Sequence, residues 1–179
     1  MLSWFRRRSS PYETAIAMIG ARAGDVVLFI GNSDPDLIAQ VALVTGLNGR
    51  TIVRDPGAAA RTTIDRAAAE AGALVEYEDT PPPASDSICD VVIILAAARA
   101  EPVAAALGAL KPGGRVLICT TSARGNILGA ISGAPADPSG AAAARHSPID
   151  VLQRAGAVAA RRLADVRGVA YFEARKPRP

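Results

Sequence analysis

The sequence predicts an α/β fold, a doubly wound and mostly parallel sheet of about seven strands ending in an antiparallel hairpin. Three observations lead there. Short aliphatic runs alternate with Ala-rich segments of helical period from Val26 to Cys119. Glycines close the helical segments, at Gly46, at Gly72 and in the run Lys111-Pro112-Gly113-Gly114. After Gly156, two β-like segments are separated by a turn-forming Arg167-Gly168.

Taken in order, strands are expected over 26–30, 51–53, 74–77, 91–95 and 115–119. In the first helix, Leu37, Ile38, Val41 and Val44 line one face. Ser33 is placed to cap it, with Asp36 as the reciprocal acid of a capping box. The second helix is expected over 60–71 with Ile64 on its apolar face, and Asp55-Pro56 reads as a helix start. The third runs over about 101–110, stopped by Pro112. Residues 125–146, with scattered Gly, Pro and Ser, read as a long loop or flap. Ser147-Pro148-Ile149-Asp150 then opens a helix, with Ser147 as cap and Pro148 first. The hairpin follows over 158–163 and 169–174.

At 179 residues the chain makes about one domain, expected over 12–177 behind a basic tail at 1–11. Half its residues are apolar, yet no apolar stretch reaches the roughly 20 residues of a membrane-spanning helix. The start, with Arg6, Arg7 and Arg8 after Trp4 and Phe5, has no long apolar core, so it does not read as a secretory signal. It offers at most a weak peripheral membrane contact. The net charge of +3 sits at the ends, without a basic stripe of interleaved aromatics, and nucleic acid is not expected as a partner. Cys89 and Cys119 adjoin or end apolar runs and are expected as buried free thiols in a reducing cytoplasm. One histidine and two cysteines make no zinc cluster, and no metal is expected.

Several segments together resemble the class I S-adenosylmethionine-dependent methyltransferases, a Rossmann-like family, nearest to the quinone-type and small-molecule members. "GDVVLFIG" is similar to the family's first strand and loop, and "GRTIVRDPG" to its second strand, which ends in an acid. "SDSICDVVIIL" is similar to the fourth strand, "ALKPGGRVLIC" to the turn into the fifth, and "SPIDVLQRAGAVAARRL" with "GVAYFEARKP" to the last helix and hairpin. The resemblance implies S-adenosylmethionine as methyl donor and a small-molecule acceptor, with catalysis mainly by alignment. Gly31, Ser33 and Pro35 fall on the three glycines of the cofactor loop, so the loop is degenerate. Phe29 stands where an acid is common. Asp55 falls on the ribose-binding acid, and Asp79, or else Glu78, near the acid that faces adenine.

Ala96, Ala97 and Ala98 take the place of polar acceptor-side groups, and His146 is the one candidate general base, weighed against a solvated loop histidine. Arg124 and Arg145 flank the flap, where an anionic substrate or plain solvent would meet them. Asp90 is expected as a structural acceptor. Asp34 and Asp36 bring two carboxylates to a helix N-terminus, which argues against a pyrophosphate-binding dehydrogenase. The same acids, with the lost glycines, motivate an alternative: a methyltransferase-like binding or scaffold domain without its cofactor.

Overall fold

The computed structural model describes residues 12–31, 34–79, 87–95, 100–121, 147–166 and 169–179. Among them, seven strands form one sheet in the order β3–β2–β1–β4–β5–β7–β6. β1 (Val26–Gly31), β2 (Arg50–Arg54), β3 (Glu76–Glu78), β4 (Cys89–Leu95) and β5 (Leu110–Thr121) run parallel. β7 (Val169–Arg175) is antiparallel both to β5 and to β6 (Val158–Val166), so the expected terminal hairpin is present. The helices are α1 (Glu13–Ile19), α2 (Pro35–Thr45), α3 (Ala58–Ala71), α4 (Ala100–Ala109) and α5 (Pro148–Arg154).

Alternation along the strands divides the core in two. Val27, Phe29, Val91, Ile93 and Leu117 face one side, where Ile19 of α1, Ile38 and Val41 of α2 and Ile64 of α3 cover them. Leu28, Val92, Ile94, Val116 and Ile118 face the other, against Val103 and Leu107 of α4 and Leu152 of α5. Covered on both faces, the central strands read as unbroken apolar runs. Asp90 accepts from the Val26 amide at 2.9 Å and from Lys111, tying β4 to the start of β1. Its structural role is as expected.

Four local expectations are corrected. α1 was not foreseen, and it docks Ile16 and Ile19 on the β1–α2 side of the sheet. β3 is shorter and later than expected: it pairs only with β2, and Leu74, before it, is 74% exposed. The Pro112-Gly113-Gly114 run does not precede β5 but lies inside it. Leu110 pairs with Cys89 and Arg115 with Val91, so the residues between bulge out of the ladder. The C-terminal segment takes up their backbone: the Gly113 amide donates to Lys176 O, and the Lys176 amide to Gly114 O. Finally, the cap of α2 is Asp34, not Ser33, and the cap of α3 is Gly57, not Asp55. Ser147 caps α5 as expected, accepting from the Ile149 amide.

The tail 1–11, Ser33, Pro81-Pro82-Pro83, Ala96 to Ala98, Arg124, the flap 125–146 with Arg145 and His146, and Arg167-Gly168 lie outside the described residues. No helix among the described residues is long and apolar enough to cross a membrane.

Candidate functional site

The chain winds outward from β1 to β3, then returns to β4 and continues the other way, so β1 and β4 flank the topological switch point. In open α/β sheets, ligands bind outside the carboxyl ends of the strands at this point. Gly31, the last residue of β1, pairs with Leu95, the last of β4, at a φ of 99°. That conformation favours glycine, so no side chain stands at this point of the switch. Register then places the other acids alongside. Ile30 pairs with Arg54 and Arg54 with Glu78, so Gly31, Asp55 and Asp79 follow three adjacent paired residues and leave the sheet in one row. Three of the four predicted donor-binding residues are brought together; Ser33 is the fourth and is not described.

The β1–α2 turn is closed by its own side chains. Asp34, nearly buried, accepts from the amides of Asp36 at 3.0 Å and Leu37 at 3.2 Å. Pro35 occupies the first helical turn, where its missing N–H costs nothing. The Tyr12 hydroxyl donates to both Asp34 oxygens at 3.2 Å and reaches Asp36 at 3.4 Å. Burial, and then the charges of Asp34 and Asp36, push the Tyr12 phenol well above its ordinary pKa, so it stays a donor across the neutral range. Two carboxylates thus answer the positive end of α2.

The β2–α3 turn is arranged the other way. Asp55 sits at a φ of 46°, a left-handed conformation that Asp tolerates better than most residues. Its amide donates to Glu78 O at 2.9 Å, extending the β2–β3 ladder by one bond. Its carboxylate is exposed and makes no hydrogen bond or ion pair with the described residues. Gly57 caps α3 in place of a side-chain acceptor, at φ 71° and ψ 157°. Of the two adenine-side candidates, Glu78 is held by Arg54 at 2.8 Å in a largely buried pair. Asp79 is 74% exposed and meets Arg61 at 2.7 Å. The Arg61 guanidinium in turn lies 4.4 Å from the centre of the Tyr77 ring. The Tyr77 hydroxyl donates to Asp65, and burial, then that bond, raise its pKa. Phe29, at the family's acidic position, is fully buried under α2 and cannot face a ligand.

A nucleoside donor can be tested against this geometry group by group. The Asp55 carboxylate, unbonded to the described residues, fits a pair of ribose hydroxyls, and Gly31, without a side chain, fits a close neighbour. Asp79 fits an amino group, because its exposed pair with Arg61 is weak enough to exchange. The α2 N-terminus does not fit a carboxylate, since Asp34 and Asp36 already stand there. Sequence reasoning missed Tyr12. The Tyr12, Ile16, Ile19 spacing is a helical signal that would have placed α1, but nothing local points from Tyr12 to Asp34.

No sequence-family profile matches the chain, and no curated protein matches it. Solved structures do. An S-adenosylmethionine-dependent methyltransferase from Aquifex aeolicus superposes with a TM-score of 0.63 at 16% identity, over 92% of this chain and 88% of that one. An S-adenosylmethionine-dependent O-methyltransferase from Thermotoga maritima gives 0.64 at 12% identity, over 94% and 66%. A Thiobacillus denitrificans methyltransferase in complex with S-adenosylhomocysteine gives 0.52 at 22% identity, over 64% and 50%. The fold is that of the class I S-adenosylmethionine-dependent methyltransferases. The chain spans less than two thirds of some of these methyltransferases and most of the length of others.

Proposed function

We propose that the chain is an S-adenosylmethionine-dependent methyltransferase that acts on a small molecule. The observation that carries this reading is Asp55: an exposed carboxylate without a partner among the described residues, beside Gly31 at the switch point. When bound, the cofactor supplies an electrophilic methyl group on a sulfonium. The chain's own part is placement. Asp55 accepts from the ribose hydroxyls, the Gly31 backbone lies against the donor, and Asp79 exchanges Arg61 for the adenine amino group. Ser33 completes the donor contacts. Alignment of donor and acceptor contributes most of the rate, and His146 is the proposed base where an acceptor must lose a proton. The two buried free thiols, Cys89 and Cys119, suit a reducing cytoplasm as the place of work.

The second reading is a domain that keeps the fold and no longer binds the donor. It is favoured by one observation, the Tyr12–Asp34–Asp36 cluster at the start of α2. Calorimetric titration with S-adenosylmethionine and S-adenosylhomocysteine separates the two. The first reading expects saturable, roughly micromolar binding, weakened about tenfold or more by Asp55→Ala, which is about 1.4 kcal/mol. Silence from the folded wild type toward both ligands at millimolar concentration overturns it in favour of the second.

A further inference from the structure

A second concave region lies at the opposite edge of the sheet, where β5 begins and β7 ends, on the face that α1 covers. Two adjoining open depressions of about 370 and 330 Å³ are both lined by Arg161, Glu173 and Arg175. Arg115 and the apolar side chains of Ala17, Met18 and Leu163 wall one, and Ala159 with Ala160 the other.

The charges here do not balance. Arg115 and Arg175 are direct cross-strand partners on β5 and β7. Like charges so placed destabilise a sheet unless something lies between them. Glu173, two residues from Arg175 and so on the same face, is the only carboxylate among the described residues lining either cavity. Both its oxygens are spent, Oε2 on Arg115 at 2.6 Å and Oε1 on Arg161 at 2.6 Å. Burial pushes the Glu173 carboxyl up, but the bonds and charges of Arg161 and Arg115 outweigh it and hold the group below its ordinary range. It is therefore ionised at neutral pH. Among the described residues, three guanidiniums around one carboxylate leave an excess of two positive charges.

The donors left over point to the excess. Arg115 is consumed, because its two other nitrogens hold the α1 carbonyls Ile19 O and Met18 O at 2.7 and 2.6 Å. Arg161 has a side chain 70% exposed and its Nη1 unbonded to the described residues. Arg175 is exposed and gives one bond, 3.2 Å long, to Gly113 O.

The backbone is bent to make this arrangement. Val158 pairs with Arg175 and Arg161 with Glu173, so β6 carries one extra residue, and Ala159 stands at a φ of 53°. Bulges re-aim side chains beside sites, and here the bulge sets Arg161 against Glu173. Ala159, strained and lining the cavity, gives up space that a larger residue would fill.

We propose that this cleft binds a phosphate dianion, free or carried on a small organic body, between Arg161 and Arg175. Two planar guanidiniums match phosphate oxygens in pairs, and a dianion matches the excess charge. The apolar wall at Met18 and Leu163 would receive an organic body. The site is separate from the carboxyl edge and does not depend on the donor reading.

The test is calorimetric titration of the full chain at fixed ionic strength with inorganic phosphate, phenyl phosphate and a single-stranded RNA oligomer. Phenyl phosphate binding that R161Q/R175Q weakens about tenfold or more supports the proposal. So does inorganic phosphate binding with equal affinity, which assigns the site to free phosphate. Asp55→Ala is expected to leave both unchanged, whatever it does to donor binding. Wild-type affinity equal to that of R161Q/R175Q overturns the proposal, and so does RNA binding tighter than both phosphates. If the double variant fails to fold, R175Q alone, which gives up only one long bond to Gly113, carries the same comparison with a smaller loss expected.

Discussion

The same dipeptide opens two helices at the carboxyl edge and does opposite things. Asp34-Pro35 begins α2 with the aspartate turned back onto the amides of Asp36 and Leu37. Asp55-Pro56 comes just before α3 with the aspartate turned outward. The difference lies two residues on. After Pro35 the chain continues as Asp36-Leu37 and turns directly into the helix, so the residue before proline is the cap. After Pro56 comes Gly57, whose φ of 71° lets the chain make one more turn before α3 starts. The cap moves from Asp55 to Gly57, and the Asp55 carboxylate is released. One carboxylate is spent on holding the fold, and the other makes no bond to the described residues.

Three substitutions test this contrast, from the largest effect to the smallest. Gly57→Ala has the largest. A Cβ at Gly57 meets nothing within 4 Å, so its cost is backbone strain alone. At φ 71° and ψ 157° the position belongs to a region almost reserved for glycine, and the expected destabilisation is about 2–3 kcal/mol. Urea unfolding would show it, and a loss under about 0.5 kcal/mol would mean that Gly57 does not set the cap. Asp34→Ala comes next, at about 1–2 kcal/mol for the lost cap. The contrast predicts that Asp55→Ala changes stability by less, since no bond to the described residues is lost and only the preference of Asp for a φ of 46° is given up. Equal losses at the two aspartates would break the comparison.

How much of this was legible before the structure follows from the range of each interaction. The alternation of strands and helices, the hairpin and the glycines that close α2 and α3 rest on period and on glycine, which are local signals, and they read through. The row Gly31, Asp55, Asp79 was also reachable, because each residue closes a strand or follows one. The caps were misplaced by one or two residues because Ser33, Asp34 and Asp55 are all competent cap residues, and only backbone dihedrals decide among them. The bulge at Lys111–Gly114 was hidden for a different reason. It depends on pairing with Lys176, more than sixty residues away, and the local sequence reads equally well as a plain turn. The Arg115–Glu173–Arg161 cluster was hidden in the same way: three strands each contribute one charged residue that, alone, looks like surface.

Tyr12→Phe is the smallest and most selective probe of the committed side. The phenol gives long bonds of 3.2–3.4 Å to Asp34 and Asp36, so about 0.5 kcal/mol is expected from their loss near neutral pH. The pH dependence carries the sharper signature. Tyr12 has a folded pKa raised by burial and by the two aspartates, so its stabilising contribution is whole below the unfolded value near 10. It is lost as pH rises toward the folded value, because the unfolded chain releases the proton first. The stability gap between wild type and Tyr12→Phe should therefore be flat from pH 7 to about 9.5 and narrow above 10. Tyrosinate absorbance gives the matching readout. Tyr77 is raised too, by burial and its bond to Asp65, and Tyr171 is pushed up to about 12 by burial. The folded chain should thus show little tyrosinate at pH 10.5, where the urea-unfolded chain shows most of its own. A phenol titrating near 10 in wild type and absent from Tyr12→Phe would place Tyr12 in water. The start of α2 would then be closed by Asp34 without the help of Tyr12.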